Sequence, residues 1–400
     1  MLHRKKVLAL ALATAAGISG MAAAQTSSVV LYGKFYPEMA WGRATGGNTG
    51  AVSTLAATGA LPSDSPTIYS LQASNSRFGV RGEEHISSDL SAIFQLESTI
   101  AVDAGGSTLA SRDTFVGLKS HAWGTVKLGN FDTVYKNLGD TVSFLGVSSG
   151  NFVSNSNILS KSPIGTSSTA SFHLRRANSV QYETPDYLGF GALVQYSPDE
   201  AKSTTRNADL LSTGVKYENG PIYAAVAYEQ HRDTFGGSRN VRAALSNFAD
   251  VNARSKDRAM RGTLRYSWGT TTIEGDIARV EYTENGGATG RFEKYRHNAY
   301  LLTADQVLGP WRFAAAYTWA GRGSCSLFGG VNCSTDGLEG NQASLGASYS
   351  LSRRTQIFAL ASRLHNGNSA RYNNASADFL PTVQPGQRID QVALGIAHTF

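Results

Sequence analysis

Segments of about ten residues in which apolar and polar side chains alternate recur along this chain, and the last is the cleanest. Val392, Leu394, Ile396, His398 and Phe400 fall on one face; Gln391, Ala393, Gly395, Ala397 and Thr399 fall on the other. A period of two puts successive side chains on opposite sides of a strand, so the pattern commits these segments to β-structure with two chemically different faces. The same reading separates Phe78, Val80 and Gly82 from Arg77, Gly79, Arg81 and Glu83, and Ala92, Phe94 and Leu96 from Ile93, Gln95 and Glu97. It also sets Trp311, Phe313, Ala315, Tyr317 and Trp319 against Arg312, Ala314 and Thr318, and Ala343, Leu345, Ala347 and Tyr349 against Gln342, Ser344, Gly346 and Ser348. In a soluble sandwich the apolar face would be core. In a membrane barrel it faces lipid, and the small or polar face lines a lumen.

The connections and the aromatics favour the barrel. Tight turns at Glu218–Pro221, Leu308–Pro310 and Ser352–Arg354 contrast with long polar stretches from Gly42 to Pro66 and from Asn366 to Gln387. Tyr182, Tyr187, Phe190, Tyr196, Tyr217, Tyr266, Trp268, Trp311 and Trp319 sit near segment ends, where interfacial girdles require them. Closure is then compulsory, because an open sheet edge in hydrocarbon would strand its N–H and C=O groups. Composition agrees: 41% hydrophobic, 16% charged and 42 Gly disfavour helical bundles and disordered chains. Mean hydropathy of −0.21 excludes a polytopic helical membrane protein.

The first 24 residues read as a cleaved signal peptide. A basic MLHRKK precedes the apolar VLALALATAAG, and Ala22 and Ala24 supply the small residues of a cleavage site before Gln25. Residues 25–400 are then a single barrel domain of 376 residues. Shared among sixteen strands they give about 23.5 per strand and connection, comfortable for ~10-residue strands; twelve would leave unusually long loops. The leader takes three of the 36 Lys and Arg, so 33 face 30 Asp and Glu and the net charge falls from +6 to +3. A nucleic-acid partner loses its main support. Cys325 and Cys333, eight apart in GSCSLFGGVNCSTDG, read as a disulfide closing a short loop in an oxidising compartment.

Between Gly129 and Arg175 alternation stops. The stretch is either a long surface loop or a loop folded into the lumen that narrows it. No catalytic constellation stands out, because the histidines after the leader (His85, His121, His173, His231, His297, His365, His398) are scattered outside H-E-x-x-H or G-x-S-x-G contexts. No metal-ligand cluster accompanies the two cysteines.

Taken in order, SSVVLYGK, SNSRFGVRGEEHISSDLSAIFQLES, RDTFVGLKSHAWGTVKLGNFDTVY, RRANSVQYETPDYLGFGALVQYS, YENGPIYAAVAY and the terminal LGIAHTF resemble the general diffusion porins of Gram-negative outer membranes, over essentially the whole mature chain. The resemblance implies an all-β, sixteen-stranded antiparallel transmembrane barrel, a homotrimer, whose third loop folds inward to form a constriction. It also implies outer-membrane lipid around the barrel and recognition of Phe400 by the barrel-assembly machinery. Basic wall residues would face acids on the loop: Lys34 on the first strand, Arg77 on the second, Arg112 on the fourth, and Arg175 or Arg176 beyond the loop. The loop departs from the family pattern, since its tip reads SFLGVSSGN without a carboxylate, and Asp132 and Asp140 are its only acids. A basic wall and an acid-poor loop make a positive constriction, and Pro37 within the first strand bears on where Lys34 points.

The expected function is a water-filled channel for passive diffusion of small hydrophilic solutes and ions, anion-preferring and needing no cofactor. A solute-selective anion channel, an outer-membrane enzyme and a secreted β-rich adhesin are the alternatives.

Overall fold

The computed structural model describes residues 28–400 except 49, 51, 60–63, 74, 143, 146–150, 201–202, 204, 375–379 and 381. The expected signal peptide lies outside the described residues. Among them, sixteen antiparallel strands close into one barrel. The first runs over Ser28–Phe35 and resumes as Glu38–Thr45; the second runs over Ile68–Gln72 and Arg77–His85. The next four are Leu90–Ile100, Ser107–Thr108 with Thr114–Ser120, Gly124–Asp132 and Arg175–Glu183. Six follow at Phe190–Pro198, Asp209–Asn219, Ile222–Arg232, Arg254–Trp268, Thr271–Asn285 and Phe292–Leu308. The last four are Trp311–Ala320 with Ser324–Leu327, Gly340–Ser350, Thr355–Asn366 and Arg388–Thr399. Each strand pairs with its sequence neighbours, and the sixteenth returns to the first through Lys34↔Thr399 and Met39↔Leu394. No edge is left for hydrocarbon to strand.

Burial is inverted relative to a soluble domain. Leu264, Ile277 and Leu345 on the outer face are 62–63% exposed, whereas the inward Gln195, Ser212 and Gln391 are buried. Exposed Tyr187, Phe190, Tyr266, Trp268 and Trp311 lie beside the short turns, as interfacial rings do. Three of those turns have only two residues, and each opens on a glycine with positive φ: Gly220 (56°), Gly269 (56°) and Gly309 (58°). Two-residue turns that match strand twist need such a backbone at their first position, which glycine adopts without steric cost.

Pro37 interrupts the first strand without reversing its faces. Lys34 pairs with Arg77 while Glu38 pairs with Gln72, so the second strand carries one extra residue there, with Asn75 at φ 63°. Ser76 Oγ accepts the Tyr36 N–H at 2.8 Å, satisfying a donor that the ladder loses at the bulge. Lys34, Tyr36, Glu38 and Ala40 are all buried on the inner side, so the lysine keeps the lumen-facing register.

Candidate functional site

The described residues between 133 and 174 enter the lumen. Thr133 caps a one-turn helix, Val134–Asn137, its hydroxyl accepting the Lys136 N–H, and a second turn covers Ser156–Leu159. The loop lies along the wall from the eighth strand round to the first. Ser212 accepts the Tyr135 N–H at 2.9 Å, Tyr223 donates to the Leu138 carbonyl at 2.9 Å, and Glu274 accepts the Thr141 N–H at 2.7 Å. Farther on, Gln342 donates to the Phe152 carbonyl at 3.1 Å and Asn151 to Glu38 at 2.6 Å. Phe144, Leu145, Phe152, Ile158 and Leu159 bury themselves against wall alanines such as Ala299, Ala314 and Ala316. Small wall residues make that seat: a Cβ on Gly346 would stand 2.6 Å from Leu145 Cδ1 and 2.9 Å from Phe144 Cε1. The loop's apolar side chains, which carry no strand or helix period in sequence, thus form a second core inside the barrel.

The opposite wall, strands one to six, carries the predicted cations. Lys34 is 8% exposed, its amine 4.4 Å from the Tyr36 ring centre, in register with Arg77 and within electrostatic reach of Arg77 and Arg312. Val116 and Leu118 are exposed outward, and Arg112 shares their parity, so alternation alone would turn it to lipid; it lies before the strand segment opens at Thr114, and it forms an ion pair with Glu97, which also accepts from Tyr32 OH at 3.0 Å. Arg175 bridges Asp113 at 2.6 Å and Asp132 at 2.7 Å, and Lys136 from the loop shares Asp132 at 2.9 Å. Arg176 is opposite Phe131 and lines a small cavity with Ser168, Leu210 and His231. Arg112 and Arg175 are therefore compensated. Among the described residues, Arg77 and Arg176 have no carboxylate within ion-pair distance.

Asp140 is brought elsewhere. Its carboxylate accepts from Asn155 at 2.9 Å and its N–H donates to Asp276 of the eleventh strand at 3.3 Å, so it joins Glu274, Asp276 and Arg261 under the loop. Burial, then the neighbouring Asp276, pushes its carboxyl up to about 7. The loop's two acids are thus turned into local contacts, Asp132 with Arg175 and Lys136, Asp140 with the far wall.

Further cations come to the uncovered wall. Arg81 stands 5.2 Å from the Tyr32 ring centre, and Lys127 lies 5.2 Å and 5.3 Å from the rings of Phe115 and Phe131. Neither has a carboxylate at ion-pair distance among the described residues. Arg81 could have been found from the alternation that separates it, with Arg77, from Val80; Lys127 shares a face with Gly129 and Phe131 in the same way. Two remaining features concern assembly. Cys325 and Cys333 form a disulfide with Cα atoms 5.8 Å apart, tying the end of the thirteenth strand to its loop. Phe400 exchanges both backbone hydrogen bonds with Gly33 at 3.1 Å, and its ring covers that glycine and meets Phe35 at 5.2 Å.

The profile of the family described as Gram-negative porin matches residues 9–369. An outer membrane porin protein of Bordetella pertussis is 27% identical, over 90% of this chain and 94% of its own. Outer membrane porin protein 32 of Delftia acidovorans is 26% identical, over 82% and 85%. Among solved structures, the anion-selective porin from Comamonas acidovorans superposes with a TM-score of 0.68 at 22% identity, covering 94% of this chain and all of that one. With a closed sixteen-stranded barrel, an apolar outer band and a lumen narrowed by its third loop, the chain belongs to the Gram-negative porin family and is an outer-membrane channel.

Proposed function

We propose that this porin passes small hydrophilic solutes by diffusion with a preference for anions, and that Lys34, Arg77, Arg112, Arg175 and Arg176 form the charged wall of its constriction. The observation that carries the preference is the imbalance on the uncovered wall. Glu97, Asp113 and Asp132 are already engaged by Arg112 and Arg175, while Arg77, Arg81 and Lys127 enter no ion pair among the described residues. A narrow low-dielectric lumen focuses such a field onto the passing ion. Likeness to an anion-selective porin supports the same reading. Asp140 belongs to the same proposal as a modulator from behind the loop rather than as a partner of the arginines. Assembly as a homotrimer, with Phe400 read by the barrel-assembly machinery and the apolar band solvated by outer-membrane lipid, is part of the same proposal, and family membership supports it.

The test is the zero-current potential of the refolded chain in a planar bilayer under a KCl gradient. A potential on the chloride side is expected; a cation-side potential from well-formed channels would overturn the anion reading.

A further inference from the structure

On the long-loop side of the constriction, the returning limb of the third loop and residues 371–374, between the fifteenth and sixteenth strands, line a cavity of about 480 Å³. Lys161, His173 and Arg371 line it, with Asn157 and a series of serines, and no carboxylate is present among its described lining residues. Lys161 is held there by local architecture: it bridges to Ser171, while the Arg371 N–H reaches the Pro163 carbonyl at 2.8 Å. Its ammonium donates to Asn157 Oδ1 at 2.8 Å, a neutral amide, and it enters no ion pair among the described residues. Arg371 donates from Nη2 to the Thr58 carbonyl at 3.1 Å while its Nε has no partner among the described residues, and the buried His173 Nε2 has none among them either. Burial, with Lys136 and Lys161 nearby, holds that imidazole well below its usual range, so it is a neutral hydrogen-bonding group.

Cations withdrawn from water without a fixed counter-charge leave their desolvation uncompensated, and a mobile anion supplies the missing partner. The surrounding hydroxyls and amides both donate and accept, which matches a solute bearing hydroxyl groups. The volume lies in the range of pre-formed small-molecule sites. We propose that this cavity is a capture site for small polyhydroxylated anions, sugar acids or sugar phosphates, which bind at Lys161 and Arg371 before reaching the constriction. The proposal deepens the anion-channel reading and rests on it, but uses residues outside the wall that sets ion preference.

The test is block of single-channel KCl current in the refolded full mature chain by gluconate, by glucose 6-phosphate and by neutral glucose. It is run at about pH 6.5, since burial pushes the Lys161 amine down to about 8. Saturable block by either anion and none by glucose is expected, and the relative half-blocking concentrations separate carboxylate from phosphate. Lys161→Gln should raise the half-blocking concentration at least about fivefold, Lys161→Arg should restore it, and Arg371→Gln should weaken it independently. Absence of block in the parent protein, or block in Lys161→Gln and Arg371→Gln unchanged from the parent, would overturn the site. A cation-side zero-current potential with block retained would instead sink the anion-preference reading and support the capture site.

Discussion

Arg77 and Arg112 are both basic wall residues, yet their electrostatic circumstances differ. Arg112 is neutralised by Glu97, so its replacement by Gln should free that carboxylate and alter selectivity as an added negative charge would. Arg77 has no such partner among the described residues. A unit charge about 8 Å from the ion path at an effective dielectric constant near 50 contributes about 1 kcal/mol. Arg77→Glu changes the charge by two, raising the anion and lowering the cation by about 1.5–2 kcal/mol each, so we expect the anion-to-cation permeability ratio to fall on the order of a hundredfold, read from zero-current potentials. Asp140 gives the pH dependence. With its carboxyl raised to about 7, it is neutral below that pH and charged above, so anion preference should strengthen as pH falls from about 8 to about 6. Asp140→Asn should remove that step; an unchanged profile would show that another group titrates. Which face Arg77 occupies was legible from alternation alone. That Glu97 neutralises Arg112 was not, because the pairing depends on strand register and side-chain rotamer. Asp140's direction was not legible either, for it sits where periodicity ends.

At the scale of elements, the third loop is fixed by shape as much as by hydrogen bonds. Gly346→Leu would drive a side chain into Leu145 and Phe144, and overpacking of this kind typically costs about 1–3 kcal/mol. The barrel strand can keep its pairing while the loop yields, so an altered conductance with a normally folded barrel is expected. Liposome swelling with sugars of graded size would detect the change in size limit, and unchanged cut-off and conductance would mean the loop is not held by this seat. The disulfide acts on another loop. Cys325→Ser with Cys333→Ser should release about 2–3 kcal/mol of loop-closure constraint, visible as faster proteolysis between the thirteenth and fourteenth strands while channel conductance persists. The cysteine spacing announced that link, whereas the third loop's apolar residues gave no sign of which wall they would meet.

For the whole molecule, closure depends on the meeting of its two ends. Phe400 pairs with Gly33 through both backbone groups and packs its ring over the space a Cβ would fill. Gly33→Val should displace the ring, with loss of about 1 kcal/mol of aromatic contact at Phe35 and a lower yield of heat-modifiable folded barrel; normal folding yield would make the seal dispensable. Much of this architecture was written locally. Alternation defined the two faces, glycine-led turns and long polar stretches defined the two ends, and the need to pair every backbone group in hydrocarbon required closure. These properties depend on near neighbours in the chain, so sequence alone could determine them. Tertiary structure decided where the third loop lies, which wall cations retain their charge, and that Lys161 and Arg371 share a cavity, because each depends on side chains from distant strands and loops meeting across the lumen.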